Sequence, residues 1–326
     1  MTRRIVPAAL LAFVVTSAPI PAAERYTTEN FVVEAPTKEL AKTFGEYAEK
    51  YRVEKAMDWL GYEMPRWSQR CPLRVRVTLS ETGGATTFTF GHGSDGRSQV
   101  LSRKMEIFGD TKKLLNSVLP HEVTHTVLAH HFGQPVPRWA DEGGSVLSEN
   151  EDERYEHDVR CREILNQGRG IPLRALFAMK QYPKDMIVVY AQGYSMSQYL
   201  IEQGGRKKFL QFVGVGMQSD NRNWEEAVKL YGFKSTDELQ EAWIDNLRAP
   251  PSRETARKAG RSDTRPSATL SSRGAETRSS ALPGLPMLEP PIVARGAAPT
   301  STSVQARPAT PSVLPKLLPP EPPSKK

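Results

Sequence analysis

His121, Glu122 and His125 form the pattern His-Glu-x-x-His within LPHEVTHTVLAHHFG (residues 119–133), a stretch that holds four of the chain's six histidines. On an α-helix, residues i and i+4 lie about 40° apart around the axis, so both imidazoles would project side by side towards one ion. Zinc lowers the pKa of water that it binds to about 7, and Glu122 can accept the proton as that water attacks a carbonyl. The spacing predicts two zinc ligands and a general base. The alternative is a chance pattern of partly exposed helical histidines.

Glu142, in the segment RWADEGGS, is the candidate third ligand. It lies near the start of a predicted helix, and this helix follows the turn at Pro135 and Pro137. The intervening chain lets this helix fold back across the first one and complete a His-His-Glu set with an open fourth position. The rival ligands are Asp141, His130, His131 and His157.

HEVTH followed by WADEG resembles the gluzincin metallopeptidases of the broad peptidase MA-like type. In these enzymes HExxH is joined by a glutamate from a W-x-x-E-G segment, as in aminopeptidase N-like enzymes and, more distantly, thermolysin. The resemblance covers residues 70–247. It implies that Glu142 is the third zinc ligand and Glu122 the general base. It also implies a zincin-like fold, in which the HExxH helix packs under a small sheet and a helical half forms the other wall of the cleft.

Tyr190, in the segment YAQG, is similar in position to the tyrosine of the Y-x-K-G segment in aminopeptidase N-like enzymes, whose hydroxyl stabilises the oxyanion. Tyr194 lies one turn further along and competes for this role, and the alternative for both is a core position at helical spacing. Gln192 replaces the lysine of that segment, and the Gly-x-Met-Glu-Asn exopeptidase motif is absent. An amino-terminal substrate clamp is therefore not predicted.

Glu149 lies seven residues past Glu142, on the same face of the helix predicted over 139–150. A carboxylate there could orient a zinc-bound histidine through its other ring nitrogen. The alternative is a solvated surface glutamate.

The secondary structure predicted around these residues begins with an amphipathic helix in PTKELAKTFGEYAEKYRVEKAMDWLG, with Leu40, Phe44, Tyr47 and Tyr51 on its apolar face and Gly61 as its end. Strands are predicted in PLRVRVTLS, ATTFTFG and SQVLSRKMEIFG. FGHGSDGR is a hairpin connection, with a loop over the cleft or a calcium-like turn as the alternative. Helical periodicity begins after Gly109 and continues through HEVTH up to Gly133. Further helices are predicted over 139–150, 152–166, 187–203, 206–213, 223–231 and 236–247.

Strands that precede helices predict an α+β domain over residues 24–248, with the sheet-containing part ending near residue 133 and a helical part over 134–248. Before it, Arg3 and Arg4, the apolar run 5–15 and the segment PIPAAE predict a signal peptide over residues 1–23, hence a secreted or periplasmic protein. An uncleaved anchor is the alternative, although the apolar run is about half of a membrane span.

Residues 249–326 hold 15 of the 26 prolines and twelve Lys and Arg against five Asp and Glu, so the whole net charge of +7 lies there. This composition predicts a disordered tail that is a spacer or contacts an anionic surface or cell-wall polymer. Residues 1–248 are formally neutral, which argues against a nucleic-acid groove. Two cysteines, Cys71 and Cys161, are too few for a cysteine-rich zinc site and leave a disulfide between them open.

Together these features predict a secreted zinc-dependent peptidase, a hydrolase with one zinc per chain and a peptide or protein substrate. Two alternatives remain: a non-catalytic exported zinc-containing binding or assembly module, and a zinc amidase that acts on cell-wall peptides.

Overall fold

The computed structural model describes residues 23–218 and 223–260; the predicted signal peptide, apart from Ala23, and most of the predicted tail lie outside these ranges. The strands are β1 (Glu24–Thr27), β2 (Phe31–Ala35), β3 (Cys71–Val77), β4 (Gly83–His92) and β5 (Ser98–Gly109). The helices are α1 (Lys38–Leu60), α2 (Thr111–Lys113), α3 (Leu119–Phe132), α4 (Arg138–Val146), α5 (Glu151–Asn166), α6 (Leu173–Ala178), α7 (Met186–Met217), α8 (Trp224–Ala227), α9 (Thr236–Asn246) and α10 (Arg253–Ala259), with a π-helical segment at Leu114–Val118 and a 3₁₀ segment at Val228–Tyr231. The α+β prediction is confirmed.

The five strands form one mixed sheet in the order β1-β2-β3-β5-β4. The inner strands β2, β3 and β5 are parallel, and β1 and β4 pair antiparallel at the two edges. On β3, Cys71, Leu73 and Val75 are buried whereas Arg74 and Arg76 are exposed. This alternation, which the sequence predicted, leaves one face of the sheet on the core and one face in solvent. Strands β1 and β2 were not predicted.

Helix α1 connects the parallel strands β2 and β3 and packs against α3. The Thr37 side chain caps its first turn by accepting a hydrogen bond from the Leu40 N–H at 3.2 Å, and Gly61 ends it with a φ of 78°. The predicted apolar face is correct only in part, since Tyr47 is 36% exposed. Small residues let the helix approach the core more closely, and the buried face is formed by Ala41, Phe44, Gly45, Ala48, Arg52, Ala56 and Trp59.

Helix α3 carries the HExxH residues and continues from the π-helical segment, a local geometry that is frequent at functional sites. It ends at Gly133, as predicted, with a φ of 62°. A Cβ at Gly133 would also lie 2.2 Å from the Ser98 carbonyl oxygen at the start of β5. Since α3 contacts β4, β5, α1 and α4, its histidines lie between the sheet and the helices that follow.

Helix α4 is shorter than the predicted 139–150, because it ends at Val146. The fully buried Trp139 ring anchors it among aromatic rings of α6, α7 and α8, at centroid distances of 4.7 Å to Phe177 and 5.9 Å to Trp224. Helix α7 lies directly against α4. Gly205, with a φ of 74°, interrupts α7 where two separate helices were predicted.

The folded part includes residues beyond the predicted domain end at residue 248. Helix α10 packs on α5 and α7, with Ala256 2% and Ala259 7% exposed. The Arg154 side chain donates from Nε to the Ala256 carbonyl oxygen at 2.8 Å, and Arg206 donates to the Ala259 carbonyl oxygen at 3.1 Å. Residues 249–260 therefore belong to the folded part rather than to a disordered tail.

Three smaller sequence features are also placed. Cys71 and Cys161 are free and buried, so no disulfide joins them. The segment FGHGSDGR is a hairpin connection, in which the Gly93 N–H donates to the Arg97 carbonyl oxygen at 2.8 Å and the Asp95 carboxylate accepts from the Arg97 N–H. Within residues 23–218 and 223–260, no helix combines the length and apolar character needed to cross a membrane.

Candidate metal centre

His121 and His125 project from the same face of α3, with their ring centroids 4.9 Å apart, and each is 8% exposed. With Glu122 they form a buried group whose possible ligand atoms all lie within 4.8 Å of one another. This group could hold a metal ion. Side-by-side imidazoles are the arrangement expected for residues four apart on a helix.

Glu142 approaches the same two imidazoles from α4. Its Oε2 lies 3.5 Å from Nε2 of His121 and 3.6 Å from Nε2 of His125. That oxygen is buried and has no hydrogen-bond partner, which is costly unless something else satisfies it. Two imidazole nitrogens and one carboxylate oxygen facing a common point are a donor set typical of zinc, so these residues fit a metal ion.

The outer nitrogens of both imidazoles are held by hydrogen bonds. Nδ1 of His121 is 2.7 Å from Oε1 of Glu149, and Nδ1 of His125 is 2.8 Å from Oδ1 of Asp141 and 3.1 Å from Oγ of Ser145. A carboxylate on Nδ1 fixes the proton there and leaves Nε2 free to bind an ion. Asp141, a rival ligand in the sequence, thus contacts Nδ1 of His125, whereas Glu142 faces Nε2 of the same ring.

Glu149 contacts His121, but it does not lie on the predicted helix. It lies in the connection between α4 and α5, not on the same helix as Glu142, since α4 ends at Val146. Its other oxygen, Oε2, is 3.5 Å from Nε2 of His157. Its side chain is 13% exposed, so it is not a solvated surface glutamate.

The histidines and glutamates of this centre shift each other's pKa values in opposite directions. Burial opposes charge on the imidazoles, but Glu142 and Glu149 outweigh it and hold the pKa of His121 well above its usual value; Asp141 and Glu142 likewise raise the pKa of His125. Burial also opposes the charged form of Glu142 and Glu149, yet the neighbouring histidines lower both pKa values to about 2. The carboxylates are therefore anionic at neutral pH and favour a positive charge beside them, on the imidazoles or on a metal ion.

Glu122 is positioned by the edge strand β4. Its Oε2 accepts a hydrogen bond from Oγ1 of Thr86 at 2.7 Å. A Cβ at Gly84 would lie 2.5 Å from Oε1 of Glu122, so the absence of a side chain there leaves room for the carboxylate. Burial raises the pKa of Glu122, whereas the two histidines and Thr86 lower it. A carboxyl whose pKa is raised binds a proton more readily than an exposed one.

Tyr190 lies at this centre, and Tyr194 does not. The Tyr190 ring is stacked 6.4 Å from the His121 ring, and burial together with Glu142 raises its pKa well above the usual value. Its hydroxyl therefore remains a donor at neutral pH. Tyr194 is fully buried with its ring 6.1 Å from that of His157, and its hydroxyl lacks a hydrogen-bond partner.

Gln192, at the position of the lysine in the Y-x-K-G segment of aminopeptidase N-like enzymes, contacts Ile171 rather than the two imidazoles. Its Oε1 accepts from the Ile171 N–H at 2.7 Å, and its Nε2 donates to the Ile171 carbonyl oxygen at 3.0 Å. It therefore fixes the connection that precedes α6. The remaining rival histidines are outside the group around His121 and His125. His130 and His131 lie in the last turn of α3, and Nε2 of His157 lies 3.5 Å from Oε2 of Glu149.

Two contacts at the centre involve residues that sequence reasoning missed. Tyr182, in the connection between α6 and α7, donates a hydrogen bond from its hydroxyl to Oε1 of Glu142. No spacing rule places a loop residue against a helix forty positions earlier. Thr86 had a usable signal, because it alternates within ATTFTFG and must share a face with Gly84.

A cleft of about 300 Å³ opens beside His121 and Glu122. Gly83 and Gly84 of the edge strand form one wall, and α5 and the start of α7 form the other. Its apolar lining includes Val118, Met186 and Ile187. The centre is thus accessible to a ligand larger than water.

No known family model, no curated protein and no solved structure matches this chain. The arrangement of residues is therefore the basis for a functional proposal.

Proposed function

We propose that the protein is a secreted zinc-dependent peptidase of the gluzincin type, in which His121, His125 and Glu142 hold one zinc ion. The observation that carries the proposal is the unpaired Oε2 of Glu142, which faces both Nε2 atoms in a buried site. We assign the third ligand position to Glu142 because its unpaired oxygen lies within 3.6 Å of both Nε2 atoms, whereas the Glu122 carboxylate is held at β4 by Thr86. When bound, zinc would supply a Lewis acid that polarises a carbonyl and lowers the pKa of water.

The protein's own residues provide the remaining chemistry of peptide hydrolysis. Glu122 takes a proton from the attacking water on its carboxylate and later returns it to the leaving amine. Burial raises the pKa of Glu122, which makes the transient protonated form accessible. The hydrogen bond from Thr86 to Oε2 holds the Glu122 carboxylate in one orientation between the two proton transfers.

Tyr190 supports the oxyanion that develops on the substrate carbonyl. Its pKa is raised, so it donates a hydrogen bond throughout the pH range in which Glu122 acts. A preorganised donor of this kind lowers the barrier by about 3–4 kcal/mol in enzymes where it has been removed. Its ring is stacked on that of His121, and both residues line the cleft.

The fold is consistent with a peptide substrate. The edge strand β4 pairs only with β5 among the described strands, so its other side offers unpaired backbone groups to an extended chain. Helix α3 lies against this strand and the sheet, and α4 and α7 lie on the other side of the site. These contacts support the zincin-like packing that the resemblance to gluzincins implies. Export by the N-terminal segment would place the substrate outside the cytoplasm.

The test is cleavage of a diverse peptide mixture by the purified protein, read by mass spectrometry. Glu122→Ala and a chelator-treated sample serve as controls, because the first removes the base and the second removes the ion. We expect cleavage that disappears in both controls. A protein that binds one zinc per chain and cleaves no peptide would refute the peptidase proposal and favour the binding module or an amidase.

A further inference from the structure

Tyr182 contacts two residues of α4, and the proposed reaction gives it no role. It belongs to the connection between α6 and α7, and its hydroxyl donates to Oε1 of Glu142. Arg138, one helical turn before Glu142, lies over the Tyr182 ring at 4.6 Å. Nη1 of Arg138 also donates to the Tyr182 hydroxyl oxygen at 3.3 Å. The tyrosine therefore bridges one turn of α4 on the side of the metal centre.

The two oxygens of Glu142 consequently have different surroundings. Oε1 is occupied by Tyr182, whereas Oε2 is buried without a hydrogen-bond partner and faces both Nε2 atoms. A carboxylate held at one oxygen cannot rotate freely about its last bond. The bridge thus directs a single oxygen to the point between His121 and His125.

The connection that carries Tyr182 is itself anchored. Asp185, at its end, forms an ion pair with Arg169 in the segment before α6. The aromatic ring is held by Arg138 through a cation–π contact, so the hydroxyl position does not depend on its hydrogen bonds alone.

We propose that Tyr182, supported by Arg138, is a positioning residue that orients Glu142 as a one-oxygen ligand and thereby sets the metal affinity of the site. This proposal rests on the proposed function, since it takes Glu142 as the third ligand. Residues that support metal ligands by hydrogen bonds typically change metal affinity by about 10–100-fold when they are replaced.

The test compares Tyr182→Phe with the wild type, using zinc and then cobalt as probes. Phenylalanine keeps the ring on Arg138 and removes only the hydroxyl. We expect zinc affinity, measured by competition with a chelator, to fall by at least about tenfold. We also expect the visible absorption spectrum of the cobalt-loaded protein to change, because a freed carboxylate alters the ligand geometry. A purely structural role for the hydroxyl would leave that spectrum unaltered.

Two further variants separate the possible failures. Tyr62→Phe is the matched control, because Tyr62 is 51% exposed, and it should bind both metals as the wild type does. Glu142→Ala should lose zinc. Wild-type affinity and spectrum in Tyr182→Phe, together with zinc loss in Glu142→Ala, would overturn the role of Tyr182 alone. Full zinc retention in Glu142→Ala would overturn the ligand set and this inference with it.

Discussion

Gly143→Ala tests how closely α4 must approach α7 for the proposed metal centre to form. Gly143 follows the proposed ligand Glu142, and a Cβ there would lie 2.1 Å from the Gly193 carbonyl oxygen and 2.3 Å from its carbonyl carbon. At Gly193, in turn, a Cβ would lie 2.5 Å from the Trp139 carbonyl oxygen. The two helices thus meet backbone to backbone, where no side-chain rotation can make room.

The expected size of the effect follows from that distance. Nonbonded heavy atoms prefer separations of about 3.5 Å, so the helices must move apart by more than about 1 Å. Overpacking of this kind costs about 1–3 kcal/mol of folding free energy. The same movement carries Glu142 away from His121 and His125, and metal sites require ligand distances within about 0.2 Å. We expect zinc affinity to fall by at least about tenfold.

The assay combines denaturant unfolding with chelator competition, and Gly144→Ala is the matched control. A Cβ at Gly144 would meet only side-chain atoms, namely Cδ1 of Leu128 at 3.1 Å and the Trp59 ring at 3.3 Å, which can shift slightly. Gly144→Ala should therefore be the milder variant in both measurements. A Gly143→Ala protein with wild-type stability and zinc affinity would refute the close-approach argument.

Three other predictions concern separate parts of the molecule. Tyr190→Phe should lower kcat by about 10²–10³-fold while one zinc stays bound, and an equal loss of zinc would argue for a ligand-positioning role instead. Burial raises the pKa of Cys71 and Cys161 to about 12, so both thiols should resist a thiol reagent at pH 8 until guanidinium unfolds the chain. Their contribution to the free energy of unfolding is complete below the unfolded pKa of about 8.5. It is lost as the pH rises from there towards 12, because the thiols of the unfolded chain ionise first. Immediate labelling of the native protein would contradict this burial. Ending the chain after residue 248 should lower Tm relative to a chain that ends at residue 260, because α10 is lost from α5 and α7; equal Tm values would show that α10 contributes nothing.

Local patterns predicted the α+β class and most of the helices. Period-two alternation identified β3 and β4, and β5 was named as a further strand. Gly61 and Gly133 marked helix ends where both adopt positive φ. Strands β1 and β2 were missed because they are only four and five residues long. The buried face of α1 was wrong in part, because tertiary packing selected small residues over the tyrosines.

The centre itself shows where sequence reasoning stops. The two histidines share a helix face, and Glu142 from α4 lies within 3.6 Å of both Nε2 atoms. The partners of these residues come from other elements. Whether Asp141 or Glu142 faces the imidazoles depends on the rotation of α4, which is set by Trp139 in its aromatic pocket and by the approach of α7. Neither determinant has a local signature.

The most direct test of the account is the zinc content of Glu142→Ala and Glu122→Ala after dialysis, measured beside the wild type. We predict one zinc per chain in the wild type and in Glu122→Ala, and a large loss in Glu142→Ala, because Glu142 is the proposed ligand and Glu122 the proposed base. Equal zinc loss in both variants, or full retention in both, would contradict the assignment of these two glutamates.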